Sequence, residues 1–185
     1  MQESTHYCQF VANLTAEALH KIYHDSQYGY EIKDDNELFG RLILEINQAG
    51  LSWDIILKKQ DNFRKAYANF EIKKIAAFDA KEVERLKNDA GIVRHKLKIK
   101  AVIHNAQQIL RLKKEYGSFK NWLDVHHPLE LDKWVKLFRT TFKFTGPEIC
   151  NEFLMSTGYL RGAHLESCAV FDQIKKSMPP WIKKG

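Results

Sequence analysis

Two pairs of metal-type side chains stand at opposite ends of the chain: Cys8 and His24 near the start, His164 and Cys168 near the finish. Two thiolates and two imidazoles make a donor set suited to a closed tetrahedral zinc site. If one ion takes all of them, every fold open to this chain must bring its two ends together. The competing reading is ordinary: a His and a Cys at i, i+4 occur by chance, and buried free thiols behave as small apolar side chains. Cys150, within a predicted helix beside Ile149, reads as core. Three cysteines are too few for a disulfide scaffold, and the count is odd, so reduced thiols are expected.

Between these ends the hydrophobic pattern has the period of a helix. Asp34 with Glu37 has capping-box spacing ahead of Leu38, Leu42, Ile43, Ile46 and Ala49, and Gly50 ends that run. Ser52 can cap a short helix through Trp53, Ile56 and Leu57. A further stripe runs Phe63, Ala66, Tyr67, Phe70, and Asp79 with Glu82 repeats the capping pattern before Val83 and Leu86. A long helix is predicted through Ile99, Val102, Ala106 and Leu110 to Gly117, and a shorter one from Ser118 through Phe119, Trp122 and Leu123. Pro128 precedes a helix from about Leu131 towards Phe142. Gly146-Pro147 opens the next, which carries Phe153 and Leu154 and stops at Gly158. No segment alternates long enough to demand a sheet, so the fold class is all-α. No apolar run approaches the roughly 20 residues of a membrane span. No signal-peptide pattern opens the chain, so the cytoplasm is the expected compartment and no membrane partner is expected.

A carboxylate interrupts the first apolar face. At about 100° per residue, Glu45 falls within about 20° of Leu38, at the edge of the arc of Leu38, Leu42 and Ala49. It is either a helix-edge acid that turns outward or pairs with a cation, or a pocket acid facing a ligand amine. Gly50, Leu51, Ser52 and Trp53 follow at once, a tight corner with an apolar tip and a flat ring beside it; the plain alternative for Trp53 is core packing. The net charge of +6 points to a polyanionic partner. The cations concentrate after a glycine turn, where Gly91 and Ile92 lead into Arg94, His95, Lys96, Lys98 and Lys100. Free amides at a helix start beside such cations suit phosphate oxygens, though a plain helix–helix turn with a solvated basic face has the same pattern.

Taken together these stretches resemble the DNA-3-methyladenine glycosylase I family. The resemblance is carried by Tyr23-His24-Asp25, by Glu45 with Gln48-Ala49-Gly50-Leu51-Ser52-Trp53, by Asp89-Ala90-Gly91-Ile92-Val93-Arg94-His95-Lys96, by Phe142-Lys143-Phe144-Thr145-Gly146, and by His164 and Cys168. It implies a helix-hairpin-helix DNA glycosylase fold, with two helical lobes around a base pocket in one domain, residues 1–172. Residues 173–185, with Lys175, Lys176, Lys183 and Lys184, are expected to form a flexible basic tail. The resemblance further implies structural Zn2+ on Cys8, His24, His164 and Cys168. It places Glu45, Tyr23, Trp53, Phe10 and Tyr28 around the base, and Leu51 in the gap left by a flipped nucleotide. Gly50, Gly91, Ile92, Arg94, Lys96 and Lys98 would then meet the DNA. The implied activity is monofunctional hydrolysis of the N-glycosidic bond of 3-methyladenine in double-stranded DNA; nothing in the sequence suggests an obligate interface, so a monomer is expected.

The chain departs from the family pattern at Tyr28, where a tryptophan is usual, and in a shorter interval between Trp122 and Phe142. Those departures motivate a second reading, a lesion-binding member of the same fold without catalysis or with altered base choice.

Overall fold

The computed structural model describes residues 6–183. No strand forms among them. The chain passes through α1 (Tyr7–Ala12), α2 (Leu19–Ser26), α3 (Asp35–Gln48), α4 (Trp53–Lys58), α5 (Gln60–Ala66) and α6 (Ile72–Ala76). It continues through α7 (Ala80–Asn88), α8 (Lys96–Tyr116), α9 (Phe119–His126), α10 (Leu131–Thr141), α11 (Pro147–Ser156) and α12 (Phe171–Lys176). The helices fall into two compact units: one takes in the chain up to Glu31 and again from Leu154, the other is Ile32–Phe153.

The unit Ile32–Phe153 is built around α3. Asp34 caps that helix by accepting from the amides of Asn36 and Glu37 at 2.9 and 3.0 Å. Glu37, expected to reach back to the cap, instead forms a bidentate pair with Arg64 at 2.8 and 2.7 Å. Every residue from Leu38 to Asn47 is buried, Arg41, Glu45 and Asn47 included. The narrow apolar arc expected for α3 is therefore an enclosed helix on all sides. Next to Asp34, Asp35 ties three elements: its carboxylate accepts from Lys113 Nζ at 2.7 Å and from the amides of Phe119 and Lys120 at 3.1 and 3.0 Å. An aromatic core lies behind α9, where Phe119 stacks on Trp122 and on Phe153, with centroids 6.0 and 6.2 Å apart.

The stripe through Phe70 breaks earlier than its spacing predicts. Helix α5 stops at Ala66, and Ala68, Asn69 and Phe70 turn through left-handed conformations with φ of 50°, 57° and 61°. That turn drops the buried Phe70 ring onto Gly40, where a Cβ would lie 2.4 Å from the ring. A long-range contact has overridden local periodicity.

In the other unit, the segment from residue 173 on is not a solvated tail. It continues α12, buries Ile174, Pro179 and Pro180, and places Trp181 against Phe171 at 6.4 Å. The Trp181 amide donates to the Gly158 carbonyl at 3.0 Å, and Lys183 pairs with Glu31 at 3.0 Å. Lys184 lies outside the described residues.

Candidate metal centre and base site

Cys8 comes from α1, His24 from α2, and His164 and Cys168 from the irregular stretch before α12. Their donor atoms lie within 4.8 Å of one another. His24 Nε2 is 3.3 Å from Cys8 Sγ and 3.8 Å from Cys168 Sγ; His164 Nδ1 is 3.8 and 3.7 Å from the same sulfurs. A tetrahedral ion with ligands at about 2.0–2.3 Å separates its donors by about 3.3–3.8 Å, so the cage has the size of a zinc site.

The outward nitrogens are held as well: His24 Nδ1 meets Asp25 Oδ1 at 2.7 Å, and His164 Nε2 donates to the Tyr28 carbonyl at 2.8 Å. Each partner fixes a tautomer whose inner nitrogen faces the cage as a lone pair, the form a metal needs. Burial pushes the Cys8 thiol up to about 11 and His164 down. A cavity of about 360 Å³ adjoins the cluster, lined by Cys8, His24, Leu165 and Cys168 among others. The i, i+4 spacing of His164 and Cys168 belongs to a chain of turns and not to a helix.

Rings gather beside this cage. Tyr23 and Tyr28 are buried, with centroids 5.6 Å apart. Phe10 is 46% exposed and touches Tyr7 and His20. Tyr7 escaped the sequence reading, yet it meets Phe10, Tyr23, His24 and Tyr28 and bonds His20 Nδ1 at 2.9 Å. Its adjacency to Cys8 is the only signal that could have marked it.

Glu45 and Trp53 belong to the unit Ile32–Phe153. Glu45 is 4% exposed on the third turn of α3. Burial raises its carboxyl to about 8; the Arg41 guanidinium pulls it down and Glu152 pushes it up. Trp53 opens α4 and is half-buried. Between them Gly50 adopts φ +79°, and Leu51, half-buried, bonds back to Gln48.

The hairpin lies between α7 and α8. Two expectations change there. The amides of Gly91 and Ile92 are taken inside the turn, by Asp89 Oδ1 at 2.8 Å and the Asp89 carbonyl at 3.3 Å, and the Ile92 side chain is buried beneath it. Lys98 does not join the cationic face, because its side chain turns inward and is buried. Arg94, His95, Lys96 and Lys100 remain exposed beside the turn.

An all-helical fold with this hairpin defines a known class of structure, that of the helical 3-methyladenine DNA glycosylases. The 3-methyladenine DNA glycosylase I of Staphylococcus aureus superposes with a TM-score of 0.77 at 31% identity, covering 84% of this chain and 93% of that one. A single-residue variant of a 3-methyladenine DNA glycosylase I, solved in complex with 3-methyladenine, gives 0.77 at 31%, over 84% and 94%. DNA-3-methyladenine glycosylase 1 of Escherichia coli (strain K12) is 32% identical, over 85% of this chain and 94% of its own. The Haemophilus influenzae DNA-3-methyladenine glycosylase is 33% identical, over 79% and 89%. The methyladenine glycosylase profile matches residues 13–133, and the chain belongs to that family.

Proposed function

We propose that this protein removes 3-methyladenine from alkylated double-stranded DNA by hydrolysing its N-glycosidic bond. The observation that carries the reading is Glu45, a carboxyl enclosed in the central helix of its unit and held largely protonated at neutral pH by its burial. Ionising it in the empty protein is costly. A cationic purine alongside offsets that cost, and the neutral adenine of undamaged DNA does not. The acid thus selects for charge and not for size.

Alkylation at N3 makes the base a cation and weakens the glycosidic bond before the enzyme acts. The base leaves neutral, so little general-acid help is needed. Positive charge passes to the sugar as the bond breaks, and water completes the hydrolysis. The chain's tasks are to extrude the nucleotide, hold the base, and place negative charge nearby. Trp53, in the same unit as Glu45, is the ring proposed to contact it; a cation on an aromatic face is worth about 0.5–2 kcal/mol. Leu51 fills the vacated stack. Exposed Arg94 and Lys96, with Lys100, hold phosphates. Gly50 and Gly91 shape the two turns that approach the duplex.

The cluster of Cys8, His24, His164 and Cys168 would hold Zn2+, which would supply a structural cross-link between early and late segments of the chain. A cytoplasmic monomer completes the proposal. Among the described residues no helix is long and apolar enough to cross a membrane.

Incubation with methylated duplex DNA and chromatography of the released bases tests the reading. Free 3-methyladenine and an abasic product are expected, and Glu45→Gln should slow release by about a hundredfold. Tyr28 in place of the usual tryptophan favours a second reading, a lesion-binding protein. It predicts retention of damaged duplex with no abasic product from the zinc-loaded protein.

A further inference from the structure

In the unit Ile32–Phe153 two lysines donate to backbone carbonyls of distant turns. Lys98, in the first turn of α8, is 6% exposed, and its ammonium donates to the carbonyls of Asn47 at 2.9 Å and Ala49 at 2.6 Å. These carbonyls end α3, where the helix itself supplies no donors and its dipole is negative. Lys59, at the junction of α4 and α5, donates to the Ala90 carbonyl at 2.7 Å, within the hairpin turn. One tie therefore runs from the hairpin's second helix to the end of α3. The other runs from the end of α4 to the hairpin turn.

The stretch between the two anchor points holds Gly50, Leu51 and α4. Its corner is closed locally too: the Leu51 amide donates to the Gln48 carbonyl at 2.6 Å, and Gln48 Nε2 donates to the Leu51 carbonyl at 2.9 Å. A surface lysine would keep its ammonium in water while its stem covered apolar surface. Here the Lys98 ammonium has left water for two backbone oxygens, a burial that is tolerable only because those bonds are made.

We infer that Lys98 and Lys59 are positioning residues that join the hairpin and the Gly50–Leu51 corner into one rigid piece. Gripping the DNA backbone at the hairpin then sets where Leu51 meets the base stack. Neither lysine touches the base; both act through the backbone that carries Leu51. The inference rests on the glycosylase reading above. Its consequence is confined to duplex DNA, because a single strand has no paired stack with a gap to fill.

The test measures 3-methyladenine release from a duplex and from the same oligonucleotide single-stranded. The proteins compared are the unaltered one, Lys98→Met, Lys98→Arg, Leu51→Ala and the double variant Lys98→Met/Leu51→Ala. Lys98→Met should lower kcat/KM on duplex about tenfold more than on single strand, and Lys98→Arg, which keeps cationic donors, should recover most of the loss. In the Leu51→Ala background, Lys98→Met should cost less than about threefold further on duplex, the non-additivity expected of residues acting through one element. Equal losses on both substrates, or losses that multiply in full, overturn the inference while base release stands. No release by the unaltered protein overturns the glycosylase reading instead. If Lys98→Met fails to fold, Lys59→Met, whose tie lies at the surface, carries the same comparison.

Discussion

Glu45, proposed to hold the base, also bears on the stability of the fold. Its carboxyl is raised from the ordinary 4.5 to about 8, chiefly by burial. Between those values the folded state keeps a proton that the unfolded chain has lost, so this group's contribution to stability falls as pH rises and levels off above about 8. Glu45→Gln removes the titration. Urea denaturation at pH 5 and pH 9 should show the variant gaining on the unaltered protein at the higher pH, by up to a few kcal/mol. A constant difference across that range would mean that the carboxyl is not buried as described. The position of Glu45 was legible in the sequence, because an acid at core spacing is visible in the helical period. Its degree of enclosure was not, since α3 is covered by elements distant in sequence.

At the level of elements, several caps acting within a few residues were legible, and side chains acting across the chain were not. Ser52 makes no cap bond to α4, and Glu37 pairs with Arg64 instead of its cap. Asp34, Asp79 and Ser118 accept from amides two or three residues ahead, as their spacing predicts. Nothing local marks Asp35, whose carboxylate draws together the ends of α3, α8 and α9. Asp35→Ala should therefore cost about 2–4 kcal/mol by urea denaturation, more than the roughly 1 kcal/mol of a lost helix cap. The corner after α3 invites a different check. At Gly50 a Cβ would meet no atom within 4 Å, so the demand for glycine there is one of backbone conformation, φ +79°. Gly50→Ala should cost about 1–2 kcal/mol, and Gly50→Asn less, because asparagine tolerates the left-handed region. An alanine variant as stable as the parent would show that the corner relaxes freely.

At the scale of the whole molecule, electrostatics and the metal cluster make separable predictions. Fluorescence-monitored duplex binding should weaken with salt, and Arg94→Ala or Lys96→Ala should each reduce the log–log slope by about 1. Lys98→Met should leave that slope unchanged, because a buried ammonium releases no counterion from DNA. Zinc analysis should find about one equivalent per chain, lost in His164→Ala. Chelation should then expose the unit that contains α1, α2 and α12 to limited proteolysis before the unit Ile32–Phe153. Simultaneous digestion of both, or zinc retained without His164, would contradict that ligand set.

The sequence by itself determined the helical class, most helix starts and stops, the Cys and His residues that come together as a cluster, and the family. Each of these is encoded in residue type and short spacing, where 3.6-residue periodicity and side-chain caps operate. Only the tertiary structure decided that α3 is enclosed on every side, that Lys98 faces inward, and that the late segment folds as part of its unit. It also turned Phe70 down onto Gly40 and gave the amides of Gly91 and Ile92 partners inside their own turn. Burial and hydrogen-bond partnership depend on which distant segments come to lie alongside, and local pattern carries no record of them.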